Sequence, residues 1–412
     1  MKENKIVKLS DVCDLIPGFA FKSSEFGEHK VKAVKIGDIQ PPYVNFESMT
    51  GVDISKYSVS RLAKYEIFKG DFVLAMTGAT IGKIGRYIAD TGAYINQRVL
   101  KFKPHDKVNS DFIYYVVSST SFQKYILNNV DSETAQPNIS AGSVGKYEFE
   151  LPSLEEQNRI ANILASIDNK IQLNRQINDN LEQQAQTLYK SWFVDFEPFK
   201  NGKFIESELG LIPEGWKIGK INDVINLLSG FPFKSSDFQE NGDYQLITIK
   251  GVQDGYLDVT SADRLSSLPS KMPQYCILNI GDILISLTGN VGRICIVDRN
   301  NLLLNQRVAI LSPKNIRDSF YAYTMFRSES MKNELIHLAR GTAQLNLSPI
   351  ETGEKLTVIP PDSILEAFAK VGKGTFNQYI SLKMENIRLM EMRDTLLPKL
   401  MSGELKINEI DC

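Results

Sequence analysis

The residues that come closest to a known chemistry are two glycine-rich loops. Residues 77–85 read TGATIGKIG, and the stretch from Gly78 to Lys83 approaches the loop that cradles nucleotide phosphates. That loop needs four residues between its glycines, a lysine for the β/γ-phosphates and a hydroxyl beside it for magnesium. Here three residues separate Gly78 from Gly82, and Ile84 follows Lys83. A second loop, residues 288–294, puts Arg293 in the lysine's place. The expectation is a tight turn between strands, with glycine supplying unusual dihedrals. Its N–H groups and its cation could still meet a phosphate. HExxH, GxSxG and GxGxxG patterns do not occur. The three histidines and four cysteines (Cys13, Cys276, Cys295 and Cys412) are scattered without CxxC spacing, which argues for reduced, buried thiols rather than a zinc site. Asp71 and Asp282 each follow a glycine at the head of an apolar run, where a carboxylate serves turn and cap chemistry. No catalytic constellation or metal-ligand set emerges, so the chain is expected to bind rather than react, with no cofactor of its own.

Both loops belong to a larger echo. Residues 18–26, GFAFKSSEF, return at 230–238 as GFPFKSSDF, with seven of nine positions identical. Ile36-Gly37-Asp38-Ile39-Gln40 matches Ile249-Lys250-Gly251-Val252-Gln253, and Gly70-Asp71-Phe72-Val73-Leu74 matches Gly281-Asp282-Ile283-Leu284-Ile285. Thr77-Gly78 matches Thr288-Gly289, and Ile95-Asn96-Gln97-Arg98-Val99 matches Leu304-Asn305-Gln306-Arg307-Val308. Residues 134–140, TAQPNIS, match residues 342–348, TAQLNLS, and Leu151-Pro152 matches Ile359-Pro360. The offset drifts only from 213 to 208, which describes one duplicated domain with small insertions and deletions. A solenoid would repeat every 20–50 residues. Each copy opens with a start signal, Leu9-Ser10-Asp11-Val12 and Ile221-Asn222-Asp223-Val224. Ser10 and Asn222 are capping types, so a short helix carrying Leu9, Val12 and Leu15 on one side is expected, ending near Gly18.

After each copy the apolar spacing turns helical. Between Leu154 and Trp192 there is neither proline nor glycine, and apolar residues from Ile160 to Trp192 recur mostly every three or four positions. Asn174 and Asn178 interrupt that seam, as polar residues do when they fix register. A second amphipathic run extends from about Asp362 to Met401. Gly372 and Gly374 should weaken its first third, and Pro398 should end or kink it. Residues 195–216 hold two prolines and three glycines and read as an irregular linker. The expected plan is a globular domain over 1–150, a helix over 151–194, the linker, a second domain over 217–360 and a helix over 361–412. This is an α+β chain in which the two helices pair as an antiparallel coiled coil with pseudo-twofold symmetry.

Net charge is −2, so no global basic field advertises nucleic acid, although a local basic face is enough. Residues 9–150 hold 16 basic and 16 acidic side chains, and residues 201–360 hold 16 and 17. Neither domain binds DNA tightly by bulk charge, which points to tight binding only inside a larger complex. No apolar run approaches the roughly 20 residues that span a membrane, and the charged start lacks the apolar core of a secretory signal. A cytoplasmic protein is expected.

The tandem GF-F-KSS-F blocks, the TG–G loops, the NQR blocks, the helix entry LPSLEEQNRIANILASIDNKI and the linker ELGLIPEGW together resemble the specificity subunit of type I restriction-modification systems. The resemblance covers nearly the whole chain. It implies a non-catalytic subunit in which each repeated domain is a target recognition domain reading one half of a split double-stranded DNA sequence. The helices would space those domains and dock two modification subunits carrying S-adenosylmethionine, and restriction subunits would join that core. A duplicated protein-interaction scaffold without DNA, and an enzyme assembled from scattered residues, are the rival readings.

Two domains that read unlike half-sites must differ where they touch base edges. Residues shared by the copies should then serve the fold, the phosphates or common partners. The divergent segments are 40–69, 86–94 and 103–133 in the first copy, and 253–280, 295–303 and 313–341 in the second. Cations there are base-reading candidates, because arginine can pair both major-groove acceptors of guanine. They are Lys56, Arg61, Lys64, Arg86, Lys107 and Lys124 in the first domain. In the second they are Arg264, Lys271, Arg299, Lys314, Arg317, Arg327 and Arg340. The shared Lys22, Ser23, Lys83 and Arg98, with Lys234, Ser235, Arg293 and Arg307, are DNA-backbone candidates. Solvated turns and internal hydrogen-bond networks are the plainer roles for all of them.

Overall fold

The computed structural model describes residues 5–131, 137–341, 344–401 and 404–405. The chain divides into two compact units, Met1–Lys170 with Leu389–Cys412, and Ile171–Arg388.

In the first unit, strand Lys5–Lys8 pairs antiparallel with Glu148–Leu151, tying the two ends of the globular part together. Between them lie two sheets. One runs, neighbour to neighbour, Cys13–Pro17, Val99–Pro104, Phe72–Ala75 and Ile84–Arg86, followed by the short strands Tyr43–Val44 and Ile39–Gln40. The other runs Thr50–Val52, Phe26–Val34, Ala93–Ile95 and Glu66–Ile67. Phe72–Ala75 is buried at every position, the burial expected of an apolar central strand. Helices Ser110–Ser118 and Thr120–Asn128 cover this unit, each started by a side-chain cap. Asn109 accepts from the N–H of Phe112 at 2.8 Å, and Ser119 accepts from that of Phe122 at 3.2 Å.

The second unit repeats that order strand for strand. Lys217–Lys220 pairs with Leu356–Ile359. One sheet runs Ile225–Ser229, Val308–Pro313, Ile283–Ser286 and Ile294–Ile296. The other runs Arg264–Leu265, Tyr244–Ile247, Leu302–Leu304 and Ile277–Leu278. Helices Ser319–Arg327 and Glu329–Leu338 follow. The duplicated sequence has therefore produced a duplicated fold, and the first copy adds two short strands, Ile39–Gln40 and Tyr43–Val44, where a shared block runs into a divergent segment.

The two long helices span Leu154–Phe193 and Asp362–Met401, 40 residues each, about 60 Å at 1.5 Å per residue. Within each unit they pair antiparallel. In the first, Asp168 accepts from Arg393 at 2.9 Å, and Ile160 and Leu164 share a core with Leu397 and Leu400. In the second, Asn174 lies against Asn386 and Trp192 against Phe368, ring centroids 5.5 Å apart. Asn174 is fully buried and donates to Glu385 Oε2 at 2.8 Å and Asn386 Oδ1 at 3.0 Å, while Asn178 and Asn386 are buried beside it. This polar layer is what the interrupted seam foretold.

Four local expectations change. The opening helix is a single turn, Leu9–Val12, and Leu15 falls in the strand that follows. Its cap is Asp11, accepting from the N–H of Lys8 at 2.9 Å, with Asp223 doing the same for Lys220 at 2.8 Å. Ser10 and Asn222 are not the caps, because each turn starts two residues earlier than such a cap would place it. Gly372 lies within the continuous second helix, where a Cβ would meet the Phe320 ring at 2.0 Å; the missing side chain lets that ring pack on the backbone. The helix runs through Pro398 to Met401, and Leu397 and Leu400 are buried. The linker is ordered rather than irregular. It holds a hairpin, Phe204–Ser207 with Gly210–Pro213, and an aromatic cluster in which Phe196 and Phe199 pack on Trp216. Composition hid this hairpin because Gly210, at φ +97°, marks the turn of a paired structure rather than a break.

Among the described residues no helix is long and apolar enough to cross a membrane. Among them, too, no cluster of three or more His, Cys, Asp or Glu could hold a metal ion. Cys13, Cys276 and Cys295 are free and buried, with burial pushing the Cys13 and Cys295 thiols up to about 12; Cys412 lies outside the described residues.

Candidate nucleic-acid interface

The shared motifs, far apart in sequence, meet at one junction in each unit. In the first, the N–H of Gly18 donates to Val99 O at 2.8 Å, that of Phe19 to Ile95 O at 2.9 Å, and that of Gln97 to Phe19 O at 2.8 Å. Met76, just before the TG loop, donates to Arg98 O at 2.9 Å. Ile139 donates to Met76 O at 3.0 Å and Gly78 to Pro137 O at 3.0 Å. The second unit repeats every bond. Gly230 donates to Val308 O at 2.9 Å, Phe231 to Leu304 O at 3.0 Å, and Gln306 to Phe231 O at 3.0 Å. Leu287 donates to Arg307 O at 2.9 Å, Leu347 to Leu287 O at 2.7 Å and Gly289 to Leu345 O at 2.8 Å. The GF, TG, NQR and N-I/L-S blocks were thus kept alike because their backbones bond to one another. Thr134, Ala135, Gln136, Thr342 and Ala343 of the last block lie outside the described residues.

Gly18 and Gly230 are fixed by closeness of approach, since a Cβ would lie 2.1 Å from Asn96 O in one copy and 2.2 Å from Asn305 O in the other. Gly18 ends a strand, not the helix expected there. The NQR blocks are turns. Val99 N–H closes on Asn96 O at 3.1 Å and Val308 N–H on Asn305 O at 3.2 Å, with Arg98 and Arg307 both at φ +71°. Positive φ at the third residue makes each a type II turn, where glycine or asparagine is the favoured residue. Asn96 Oδ1 and Asn305 Oδ1 are buried without a hydrogen-bond partner.

Beside the junction, Lys22 and Ser23 are exposed, as are Lys234 and Ser235. Glu25 closes the first KSS turn, accepting from Lys22 N–H at 2.8 Å and from the Tyr57 hydroxyl at 2.8 Å. The Lys22 N–H, helped by that hydroxyl, holds its carboxyl below the usual range against the opposing effect of burial. Lys83 is exposed. Arg293 is half-buried and donates to Gln253 Oε1 at 2.5 Å.

The base-reading candidates fall into two groups. Lys56, Lys107, Lys124, Lys271 and Lys314 are exposed. Arg61 and Lys64 are exposed over aromatic rings, Arg61 at 5.5 Å from Phe19 and Lys64 at 4.8 Å from Tyr65. Arg264 is exposed and donates to Gly242 O at 3.2 Å, and Arg340 is exposed and pairs with Glu351 at 2.8 Å. The rest are held inside their unit. Arg86 pairs with Asp111 at 2.5 Å and stacks 4.1 Å over Tyr114; Arg299 pairs with Asp298 at 2.9 Å. Arg317 bonds Asp318 at 3.2 Å and Asp362. Arg327 joins Glu182 of the first long helix, at 3.1 Å, to Asp254. Tyr323 also donates to Glu182, and Tyr379 and Lys383 of the second long helix donate to Gly255 O at 3.2 and 2.7 Å. Burial lowers the Lys383 pKa. Arg327 therefore fastens the segment after Gln253 to the helices. Sequence reasoning saw the cation but not the network, because its partners lie 73 and 145 positions away.

A duplicated domain with unlike exposed loops on one shared frame, followed in each copy by a long helix, is the architecture of a protein that recognises at two sites. The family model described as "Type I restriction modification DNA specificity domain" matches residues 1–183 and 213–361, so the chain belongs to that family. The chain is 28% identical to the type I restriction enzyme MjaIX specificity subunit of Methanocaldococcus jannaschii, over 95% of this chain and 97% of that one. It is 26% identical to the HindI specificity subunit of Haemophilus influenzae, over 83% and 88%, and 25% identical to the EcoBI specificity subunit of Escherichia coli, over 97% and 85%. The crystal structure of the type I restriction-modification S subunit from M. genitalium shares the fold, with a TM-score of 0.53 at 19% identity over 97% of both chains. The protein is a DNA specificity subunit, the recognition component of a type I complex rather than its catalytic one.

Proposed function

We propose that residues 1–150 and 217–360 are two target recognition domains, each reading one half of a split DNA target through the segments that differ between them. The observation that carries this reading is the junction. The same motifs meet through the same backbone bonds in both units, while the intervening segments differ in sequence, length and strand content. The exposed cations Lys56, Arg61, Lys64, Lys107 and Lys124, with Arg264, Lys271, Lys314 and Arg340, are the first choices for base contact. Arg86, Arg299, Arg317 and Arg327 are half-buried as well as ion-paired, unlike the exposed Arg340 with its Glu351, so they rank behind. The helices over 151–194 and 361–412 set the spacer between the two half-sites and dock two modification subunits, to which restriction subunits are added in the cytoplasm.

Replacing residues 1–150 with the matching domain of another family member, and mapping methylated sites in cells that also express a modification subunit, tests modular reading. One half of the target should change and the other stay. A change in both halves would refute it. Inserting four residues after Asn174 adds about one helical turn, 5.4 Å, and should lengthen the unread interval by one or two base pairs. An unchanged interval would remove the helices from that role.

A further inference from the structure

Arginine is a poor choice where Arg98 and Arg307 stand. Both occupy the position of a type II turn that favours glycine, at φ +71°. A non-glycine residue in this left-handed region is strained, and is tolerated where the surroundings hold it and a function uses it. The surroundings do hold it, since the Arg98 and Arg307 carbonyls accept from Met76 and Leu287 at 2.9 Å each. Both side chains are exposed, and neither guanidinium forms an ion pair or a hydrogen bond among the described residues. Two copies that diverged across their solvent-facing loops have thus each kept a strained, unengaged arginine at one point of the same turn. In the second unit that point borders a hollow of about 380 Å³ lined also by Lys250, Thr248 and Ser261, with one carboxylate, Asp263. Two cations and two hydroxyls against one carboxylate favour an anion with several acceptor oxygens.

We propose that Arg98 and Arg307 are two copies of one phosphate seat, each gripping a backbone phosphodiester of duplex DNA and so fixing the register in which the neighbouring divergent loops meet the bases. The proposal rests on the DNA-reading function above and gives that function its sequence-independent contact. Lys22 and Lys234 follow by three residues Phe19 and Phe231, whose backbones bond to the same turn.

The test uses the complex reconstituted with a modification subunit, and two duplexes, one carrying the mapped methylation target and one of unrelated sequence. Arg98→Gly and Arg307→Gly relieve the strained dihedral, so each variant should melt no lower than the parent. Each should bind both duplexes roughly tenfold more weakly, by the same factor for each. Each should also lower the slope of log affinity against log salt by about 1, and the double variant by about 2. Arg98→Lys and Arg307→Lys keep the charge and should restore the slope. An unchanged slope in a parent complex that discriminates between the duplexes overturns the seat and leaves DNA reading intact. So does a loss confined to the target duplex, which would make these residues base readers. A parent complex that does not discriminate overturns the reading and the seat together.

Discussion

The two repeats hold one backbone frame with different side-chain partners, and the turn before the central strand shows it best. In the first unit Asp71 accepts from the N–H of Phe68 at 2.9 Å and pairs with Lys101 at 2.6 Å, a lysine only 8% exposed that also donates to Glu66 O at 2.8 Å. In the second unit Asp282 keeps the turn bond, from Asn279 N–H at 2.7 Å, but the position of Lys101 is taken by the buried Ile310. The mooring to the long helices differs as well. The first unit uses the Tyr115 hydroxyl on Asp168, at 2.8 Å, a carboxylate that Arg393 of the second long helix also binds at 2.9 Å. The second uses Tyr323 and Arg327 on Glu182. Backbone bonding has preserved the junction, because each partner's position depends on all the others. Side-chain ion pairs have been remade, because a pair can be exchanged for an apolar contact once both partners change.

That contrast yields an ordered set of tests. The largest effect should come from the shared frame. Gly18→Ala and Gly230→Ala each force a Cβ onto a carbonyl oxygen at 2.1 or 2.2 Å, with backbone rather than a flexible side chain in the way. Each should destabilise its own unit by about 3 kcal/mol or more. Amide hydrogen exchange resolved by segment should show protection lost in the mutated unit alone. Equal tolerance of both substitutions would mean that the junction does not hold the frame.

Asp71→Asn comes next. It keeps an acceptor for Phe68 N–H but strands the buried Lys101 ammonium, at a cost of about 2–4 kcal/mol. Denaturant unfolding measures it. Asp71→Asn with Lys101→Ile rebuilds the second unit's arrangement in the first and should recover most of that loss. Failure to recover would show that the two turns are not equivalent.

The repeat, the fold class, the paired helices and their asparagine layer were legible in the sequence because they follow from spacing, which survives divergence. The linker hairpin was not legible, since residues 204–213 pair only with each other and the surrounding glycines and prolines read as breaks. Nor was the short opening turn, where Ser10 looked like a better cap than the Asp11 that does the work one residue on. The cations of the divergent loops were found as residues but not sorted. Whether an arginine is exposed, like Arg61, or bound to a carboxylate, like Arg327, depends on partners too distant in sequence for local pattern to reach. The strain at Arg98 and Arg307 was likewise hidden, since nothing in the NQR block marks a positive φ at its arginine.

The smallest expected effect is also the most discriminating between the repeats. Burial, opposed only by the Asn279 N–H bond, raises the Asp282 pKa above the ordinary carboxylate value near 3.9. Where the folded pKa exceeds the unfolded one, the folded chain binds more protons between the two values, so stability falls as pH rises through that window. Below the window the carboxyl is neutral in both states and carries no penalty; above it the full cost of an uncompensated, half-buried charge is present. Asp282→Asn keeps the acceptor for Asn279 N–H and removes the charge. The variant should therefore match the parent at acid pH and become more stable than it, by up to about 1 kcal/mol, as pH rises above the carboxylate range. Thermal melting of both proteins across that range would show the gap opening in the variant's favour. A gap independent of pH, or one opening in the parent's favour, would mean that Asp282 has a compensating partner after all, and that the second repeat replaced Lys101 with another cation rather than doing without one.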